Sequence, residues 1–574
     1  MPSLNKVSLL SAASLVVVAA LVGGTPGWKF TTKGHSGILA LEAVVVSPTL
    51  VLMFDRATDD PLHTADGKVA WGALWNLETN EPTAVKLQTD SFCASGSILS
   101  NGTMVSVGGN VPAAEDLWLT NATDGMTALR LFGPCTDPAG VNCTVFEDIN
   151  TVHLAENRWY PTTIRISDGS LMIIGGTHEL TTFYNTDPAN TYEFFPSKDG
   201  GVPRHSPLLA RTVNVNLFPR AFALPDGKVF ILANNQSIIY DIENDMETLL
   251  PDLPNGQRVS NPFDGTAQLL PLYPPSYTPT ILACGGSNKS DVTPISELSS
   301  QDPALAQCSR ITLTPEGIER GWELDSLPQG RMLPEMIPLP NGQILIINGG
   351  QTGYAAYSSV GFRTEAEVGN SNADHPAFTP ILYTPWAPLG SRMSQEGLPA
   401  TDIARMYHST VSLTPQGNIW LAGSNPNANT TVFPPGVPGY STEFRVETLD
   451  PPYMELPRPI LSDVPQKIAF NENFTIGIDI PEGASTSSIQ VALVDLGFST
   501  HAFHASARVV FMNSNLSDDG KELTITAPPN NRVYPPGPAY IFVTVADGTL
   551  TSQGAHVMVG TGGNPPVADQ GVRL

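Results

Sequence analysis

The chain has 574 residues and a formal charge of −25, with 29 Lys and Arg set against 54 Asp and Glu. So acidic a composition is a poor match for a phosphate backbone or an anionic bilayer, and neither nucleic acid nor a membrane surface is expected as a partner. Five cysteines, an odd number, leave one thiol over if the others pair.

The first signal along the chain is Lys6, followed by an apolar run from Val7 to Val22 and then by Gly23-Gly24 and Thr25-Pro26. These are the three parts of a secretory signal peptide, which we assign to residues 1–24. The run is short for a spanning helix and no stop-transfer pattern follows. Nothing later is apolar enough to span a bilayer, and the tail 561–574 is polar and rich in Pro and Gly, so no lipid anchor is expected. Sequons begin at Asn101, Asn121, Asn142, Asn235, Asn288, Asn429, Asn473 and Asn515, as a secreted glycoprotein would carry them.

From residue 47 onward one phrase recurs, a turn followed by an apolar strand ending in small residues. It reads Ser100-Asn101-Gly102 before Val105-Ser106-Val107-Gly108-Gly109, then Ser167-Asp168-Gly169 before Met172-Ile173-Ile174-Gly175-Gly176. Pro225-Asp226-Gly227, Pro340-Asn341-Gly342 and Pro415-Gln416-Gly417 open three more copies, and degenerate ones lie at 47–56 and 278–286. The Asx-Gly pair supplies the positive φ of a tight turn, and the unbroken apolar run suits a strand buried on both faces. Roughly seven such repeats, spaced somewhat above the kelch value, predict an all-β, kelch-like propeller over 25–455.

After Pro451-Pro452-Tyr453-Met454-Glu455 the pattern changes. Phe474 to Ile480, Gln490 to Val494 and Tyr540 to Val545 alternate or run apolar between turn signals, which predicts an immunoglobulin-like β-sandwich over 456–560. Residues 561–574 are expected to form a flexible tail.

The chemistry-bearing residues are sparse. Cys135 lies close to Cys143 and Cys284 to Cys308, which suggests two local disulfides and leaves Cys93 alone. Cys93 and Tyr160 stand just before the first two double-glycine strands, and Tyr407-His408 before the last. Equivalent positions of different blades converge on a propeller axis, so these four can share a site, joined by His501 if a hairpin of the C-terminal domain reaches inward. Two phenols, two imidazoles and a thiol without a carboxylate cluster point to redox copper. Taken singly, each has an ordinary reading as a buried thiol, a rim tyrosine or a satisfied histidine.

Three phrases carry a family resemblance: Arg158-Trp159-Tyr160-Pro161-Thr162, Arg405-Met406-Tyr407-His408-Ser409 and Gly497-Phe498-Ser499-Thr500-His501-Ala502-Phe503-His504. Together with Asp90 to Gly96, Ala283 to Ser287 and Thr442 to Glu447, they resemble the fungal glyoxal oxidases, copper radical oxidases related to galactose oxidase. The resemblance implies a seven-bladed propeller and one copper held by Tyr160, Tyr407, His408 and His501. It further implies a thioether joining Cys93 to Tyr160 as a radical cofactor. The implied reaction converts small aldehydes of the glyoxal or methylglyoxal type and O2 to carboxylic acids and hydrogen peroxide, with Tyr407 as base. Coupling to extracellular peroxidases through that peroxide and a monomeric state are further expectations.

Two departures bear on substrate. Thr177-His178 stands where the sugar-oxidising relative has a stacking tryptophan, which makes His178 a candidate neighbour of the radical, and no room is left for an N-terminal carbohydrate-binding module. Small aldehydes are therefore favoured over galactose. The competing readings are a primary-alcohol or galactose-type oxidase with the same centre and a non-catalytic secreted propeller that binds protein or glycan. His504 shares the His501 loop, but the resemblance places the metal on His501. His35, His63, His153, His205, His375 and His556 are read as structural or surface residues.

Overall fold

The computed structural model describes residues 26–179, 183–357, 368–369 and 371–568. The expected signal peptide and the end of the tail, 569–574, lie outside the described residues.

Local sequence builds the repeated hairpin as expected. In the turn of Ser167-Asp168-Gly169-Ser170, Asp168 Oδ1 accepts the Ser170 N–H at 3.1 Å and Gly169 adopts a φ of 78°. That turn aligns Thr162–Arg165 with Leu171–Ile174, Thr162 opposite Ile174 and Arg165 opposite Leu171. Leu171–Ile174, Val229–Ala233 and Ile344–Ile347 are buried at each position, which is why their sequences run apolar rather than alternating.

Among the described residues, four-stranded antiparallel units occupy 42–84, 95–146, 162–205, 220–249, 265–326 and 335–394, and a seventh has three of its strands in 410–450. The last of these takes its fourth strand, Lys29–His35, from the start of the described chain, paired with Arg445–Asp450. The two ends of the propeller are thereby fastened to each other. The innermost strands Ser95–Ile98, Thr162–Arg165, Arg220–Ala223, Gly265–Leu269, Glu335–Pro338, Thr410–Leu413 and Glu42–Val45 adjoin one another in that order around the axis.

Strands Ile460–Ser462, Asn473–Asp479, Glu522–Thr526 and Ser514–Leu516 form one sheet of the C-terminal region. Lys467–Ile468, Ala555–Val559, Gly537–Val545, Gln490–Asp495 and Arg508–Met512 form the other. Ile476, Leu523 and Ile525 of the first share a core with Val491, Leu493, Ile541 and Val557 of the second, which makes the pair a sandwich. Its hairpin of Phe498–Thr500 and Phe503–Ala505 leaves the sandwich and enters the propeller axis. There Ser499 pairs with Ala43 and Phe498 with Val44, while the same strand lies beside Ser95–Ile98, filling the ring between its first two sheets. Disulfides join Cys135 to Cys143 and Cys284 to Cys308, and Cys93 is free and buried. No helix among the described residues is long and apolar enough to cross a membrane.

Candidate metal centre

Repetition of the fold creates one repeated side-chain position. Cys93, Tyr160, Phe218, Leu333 and His408 each stand two residues before the innermost strand of their sheet. Their φ values are 54°, 60°, 46°, 60° and 64°, all in the left-handed region. Non-glycine residues enter that region at a cost, and such strain gathers where side chains must be aimed. Backbone bonds tie neighbouring sheets at this level: Tyr160 N–H donates to the Cys93 carbonyl at 3.2 Å, and Phe218 N–H to the Tyr160 carbonyl at 3.1 Å. Buried arginines brace the same loops. Arg158 donates to the Gly175 carbonyl at 2.8 Å, Arg331 to that of Asn348 at 3.0 Å, and Arg405 to that of Gly423. His501 stands in the two-residue turn of the inserted hairpin, where it and Ala502 have φ of 46° and 59°. Two positive φ values describe the hairpin turn that matches strand twist, normally built with Asn-Gly.

The side chains converge. Tyr160 and Tyr407 hydroxyls lie 3.1 Å apart, and Cys93 Sγ lies 3.8 Å from His408 Nε2. Ligand atoms of Cys93, His408 and His501 all fall within 4.8 Å of one another. The His501 ring is 5.3 Å from that of Tyr160, 5.6 Å from Tyr407 and 5.0 Å from His408. All five residues are buried.

Hydrogen bonds fix which nitrogen each imidazole presents. His408 Nδ1 faces the Asn425 carbonyl at 3.2 Å, and a carbonyl only accepts, so the proton sits on Nδ1 and the lone pair on Nε2. His501 Nδ1 lies 2.7 Å from Thr500 Oγ1, whose own proton goes to the Leu41 carbonyl at 3.2 Å. Nδ1 of His501 is therefore the donor as well. Its Nε2 is a buried lone pair with no hydrogen-bond partner among the described residues. Burial lowers the His408 pKa to about 3 and holds that of His501 well below the usual imidazole range, so both rings are neutral. Burial likewise raises Tyr160, Tyr407 and Cys93, and nearby thiol and phenol groups push the two phenols further. An orphaned imidazole nitrogen, a second neutral imidazole and two adjacent phenols that a cation would help to ionise form a donor set suited to copper.

Aromatic residues wall the centre. Trp159 packs on Tyr160 at 4.9 Å, and Phe218 packs on both Tyr160 at 5.2 Å and His501, stacked on the latter at 4.3 Å. Phe92 and Tyr357 are parallel at 5.7 Å, with Tyr357 5.2 Å from His408. His178 does not join this group: its Nε2 lies 3.1 Å from Glu156 and its Nδ1 3.2 Å from Asp187, at a partly exposed position. His504 also faces away, with Nε2–H donating to the Val411 carbonyl. Phe218 escaped the sequence reading although Leu217-Phe218-Pro219-Arg220 repeats the frame of Trp159-Tyr160-Pro161-Thr162. Tyr357 lies on an excursion of the sixth sheet where no periodic signal marks it.

A fungal alcohol oxidase of the AA5 family, solved in complex with copper, has the same fold, matching 94% of this chain and all of its own with a TM-score of 0.67 at 16% identity. Residues 56–453 match the model for the glyoxal oxidase N-terminus, and 458–559 match the galactose oxidase-like early set domain. The chain belongs to the glyoxal oxidase family. It is 30% identical over 554 residues to an aldehyde oxidase of Vitis pseudoreticulata, covering 92% of this chain and 95% of that one. An aldehyde oxidase of Arabidopsis thaliana is 28% identical over 91% of this chain and 83% of its own.

Proposed function

We propose that this protein oxidises small aldehydes, as their hydrated diols, to carboxylic acids while O2 becomes hydrogen peroxide. The observation that carries the reading is the buried, unpartnered Nε2 of His501 in a cluster with two phenols, a second neutral imidazole and a free thiol. Membership of the glyoxal oxidase family and the names of the two plant relatives favour an aldehyde over an alcohol or a sugar.

Tyr160, Tyr407, His408 and His501 would hold one copper ion, which when bound supplies a Lewis-acidic position for the substrate oxygen and one of the two electron vacancies. The residues supply the rest. Tyr407 takes the proton of a diol hydroxyl, a role open to it because a phenol held ionised in the loaded enzyme is released by protonation. Tyr160, oxidised by one electron, takes the hydrogen atom from the adjacent carbon. Two hydrogens thus leave RCH(OH)2, giving RCOOH, and O2 accepts them as H2O2.

Cys93 has no disulfide partner and its thiol lies beside Tyr160. A thioether between Cys93 Sγ and the Tyr160 ring would release two hydrogens to O2, and the sulfur substituent would ease oxidation of the phenol. Trp159 and Phe218 would keep solvent from that ring.

The protein is proposed to act outside the cell as a monomer, its peroxide serving peroxidases by diffusion. Two disulfides support an oxidising compartment, as do eight sequon asparagines of which none is buried. The test of function is a substrate panel with copper-loaded protein, following acid and peroxide together. Equal molar yields from glyoxal or methylglyoxal, with weaker turnover of primary alcohols and galactose, are expected. Preferential turnover of alcohols would overturn the aldehyde assignment, and no peroxide from any substrate would favour a binding propeller.

A further inference from the structure

One fully buried carboxyl group touches both segments that carry the imidazoles. Glu335 opens the innermost strand of the sixth sheet, with no exposed surface. Its Oε1 accepts from Ser409 Oγ at 3.4 Å, directly after His408, and from Asn348 Nδ2 at 3.5 Å. Its Oε2 accepts from Ser499 Oγ at 2.8 Å, two residues before His501 on the inserted hairpin. Ser499 Oγ in turn accepts the Val411 N–H at 3.2 Å, so its single proton is committed to Glu335.

The return strand of the hairpin completes the arrangement. His504 donates Nε2–H to the Val411 carbonyl, which leaves its Nδ1 a buried lone pair without a hydrogen-bond partner among the described residues, 3.7 Å from Glu335 Oε2. A protonated carboxyl suits that neighbour, because it can offer a proton towards Nδ1 while still accepting from the two serines. Burial favours this form, raising Glu335 to about 8 and lowering His504 to about 4. Nothing in the proposed chemistry uses Glu335, yet its hydrogen bonds join the propeller segment behind His408 to the sandwich hairpin behind His501.

We propose that Glu335 is a positioning residue: by binding Ser409 and Ser499 with one carboxyl group, it sets the separation and mutual orientation of His408 and His501. The inference rests on the reading that these two imidazoles hold copper. A buried group that merely filled space would be replaceable by any side chain of similar volume, whereas a crosspiece needs both acceptors and the neutral donor. An amide keeps one acceptor and the donor but loses the second acceptor, whereas an isobutyl group loses all three.

The experiment compares Glu335→Gln and Glu335→Leu with wild type by Cu(II) electron paramagnetic resonance and by copper affinity in chelator competition, alongside thermal unfolding of the metal-free proteins. Glu335→Gln, which keeps one acceptor and the donor, should shift the spectrum less than Glu335→Leu and lose less than about tenfold in affinity. Glu335→Leu should shift the hyperfine splitting and lose on the order of 10–100-fold in affinity, as the removal of outer hydrogen bonds to metal ligands does. If the Leu variant does not fold, Ser409→Ala with Ser499→Ala removes both arms without emptying the Glu335 site, and the same spectral shift and a loss of at least about fivefold are expected. Wild-type spectra and affinity in the Leu variant, or in the double serine variant if that one is used, would overturn the inference. So would a Gln variant as impaired as Leu. Wild-type protein that fails to bind copper would remove the metal centre itself, an outcome distinct from failure of Glu335 alone.

Discussion

Replacing Tyr407 with Phe removes one oxygen and leaves the ring. The ring stacks on His408 at 3.7 Å and packs on Tyr357 at 6.0 Å, contacts that phenylalanine reproduces. The lost hydroxyl interacts with Tyr160 Oη at 3.1 Å, and such a bond is worth about 1 kcal/mol to folding. Stability should therefore fall by no more than about 1–2 kcal/mol. Three of the four proposed ligands remain, so most of the copper should stay. Turnover should fall far more: a positioned proton acceptor contributes on the order of 10²–10⁴ in rate. The assay is peroxide release from a saturating aldehyde, normalised to copper content, with the circular dichroism melt as a folding control. A folded, copper-loaded Tyr407→Phe protein with unchanged turnover would refute the assignment of Tyr407 as base.

Cys93→Ala should fold and bind copper but turn over on the order of 10²-fold or more slowly, because the proposed sulfur substituent could not form on the phenol; normal turnover, measured per copper, would remove the thioether from the account. His178→Ala should change turnover less than about threefold, since His178 is engaged by Glu156 and Asp187. A loss beyond about thirtyfold would place it back beside the radical. His504 supplies a pH prediction. Its folded pKa of about 4 lies below the unfolded value near 6.5, so between those limits the unfolded chain binds the extra proton and acid destabilises the fold. Relative to His504→Gln, metal-free wild type should lose about 1.4 kcal/mol per pH unit as pH falls through that window, about 3 kcal/mol in all. Urea titrations of both proteins at pH 7, 6 and 5 measure this, and a difference independent of pH would contradict it. The comparison with the variant is needed because buried carboxyls such as Asp90, held at about 6, act in the opposite sense.

What the sequence exposed follows the strength of local chemistry. The Asx-Gly turns and apolar runs were readable because each hairpin is fixed by its own residues, as Asp168 and Gly169 illustrate. The convergence of Cys93, Tyr160 and His408 could be anticipated because repetition places them at one structural position. His501 was legible through its phrase, yet what holds it was not: Arg220, Leu41 and Glu335 reach the hairpin from distant parts of the chain. The same is true of Lys29–His35, which pairs with a strand more than 400 residues away. His178 shows the limit in the other direction, since proximity to Gly175-Gly176 in sequence did not bring it to Tyr160. Two carboxylates on neighbouring loops turn it outward.

The central claim is a copper-dependent cofactor made from Cys93 and Tyr160. Intact and tryptic mass spectrometry of protein matured aerobically with copper tests it most directly. The account predicts one cross-linked species containing the Cys93 and Tyr160 peptides, about 2 Da lighter than their sum through loss of two hydrogens, and absent from protein kept metal-free. Separate peptides with an alkylatable Cys93, after confirmed copper loading and exposure to O2, would contradict it.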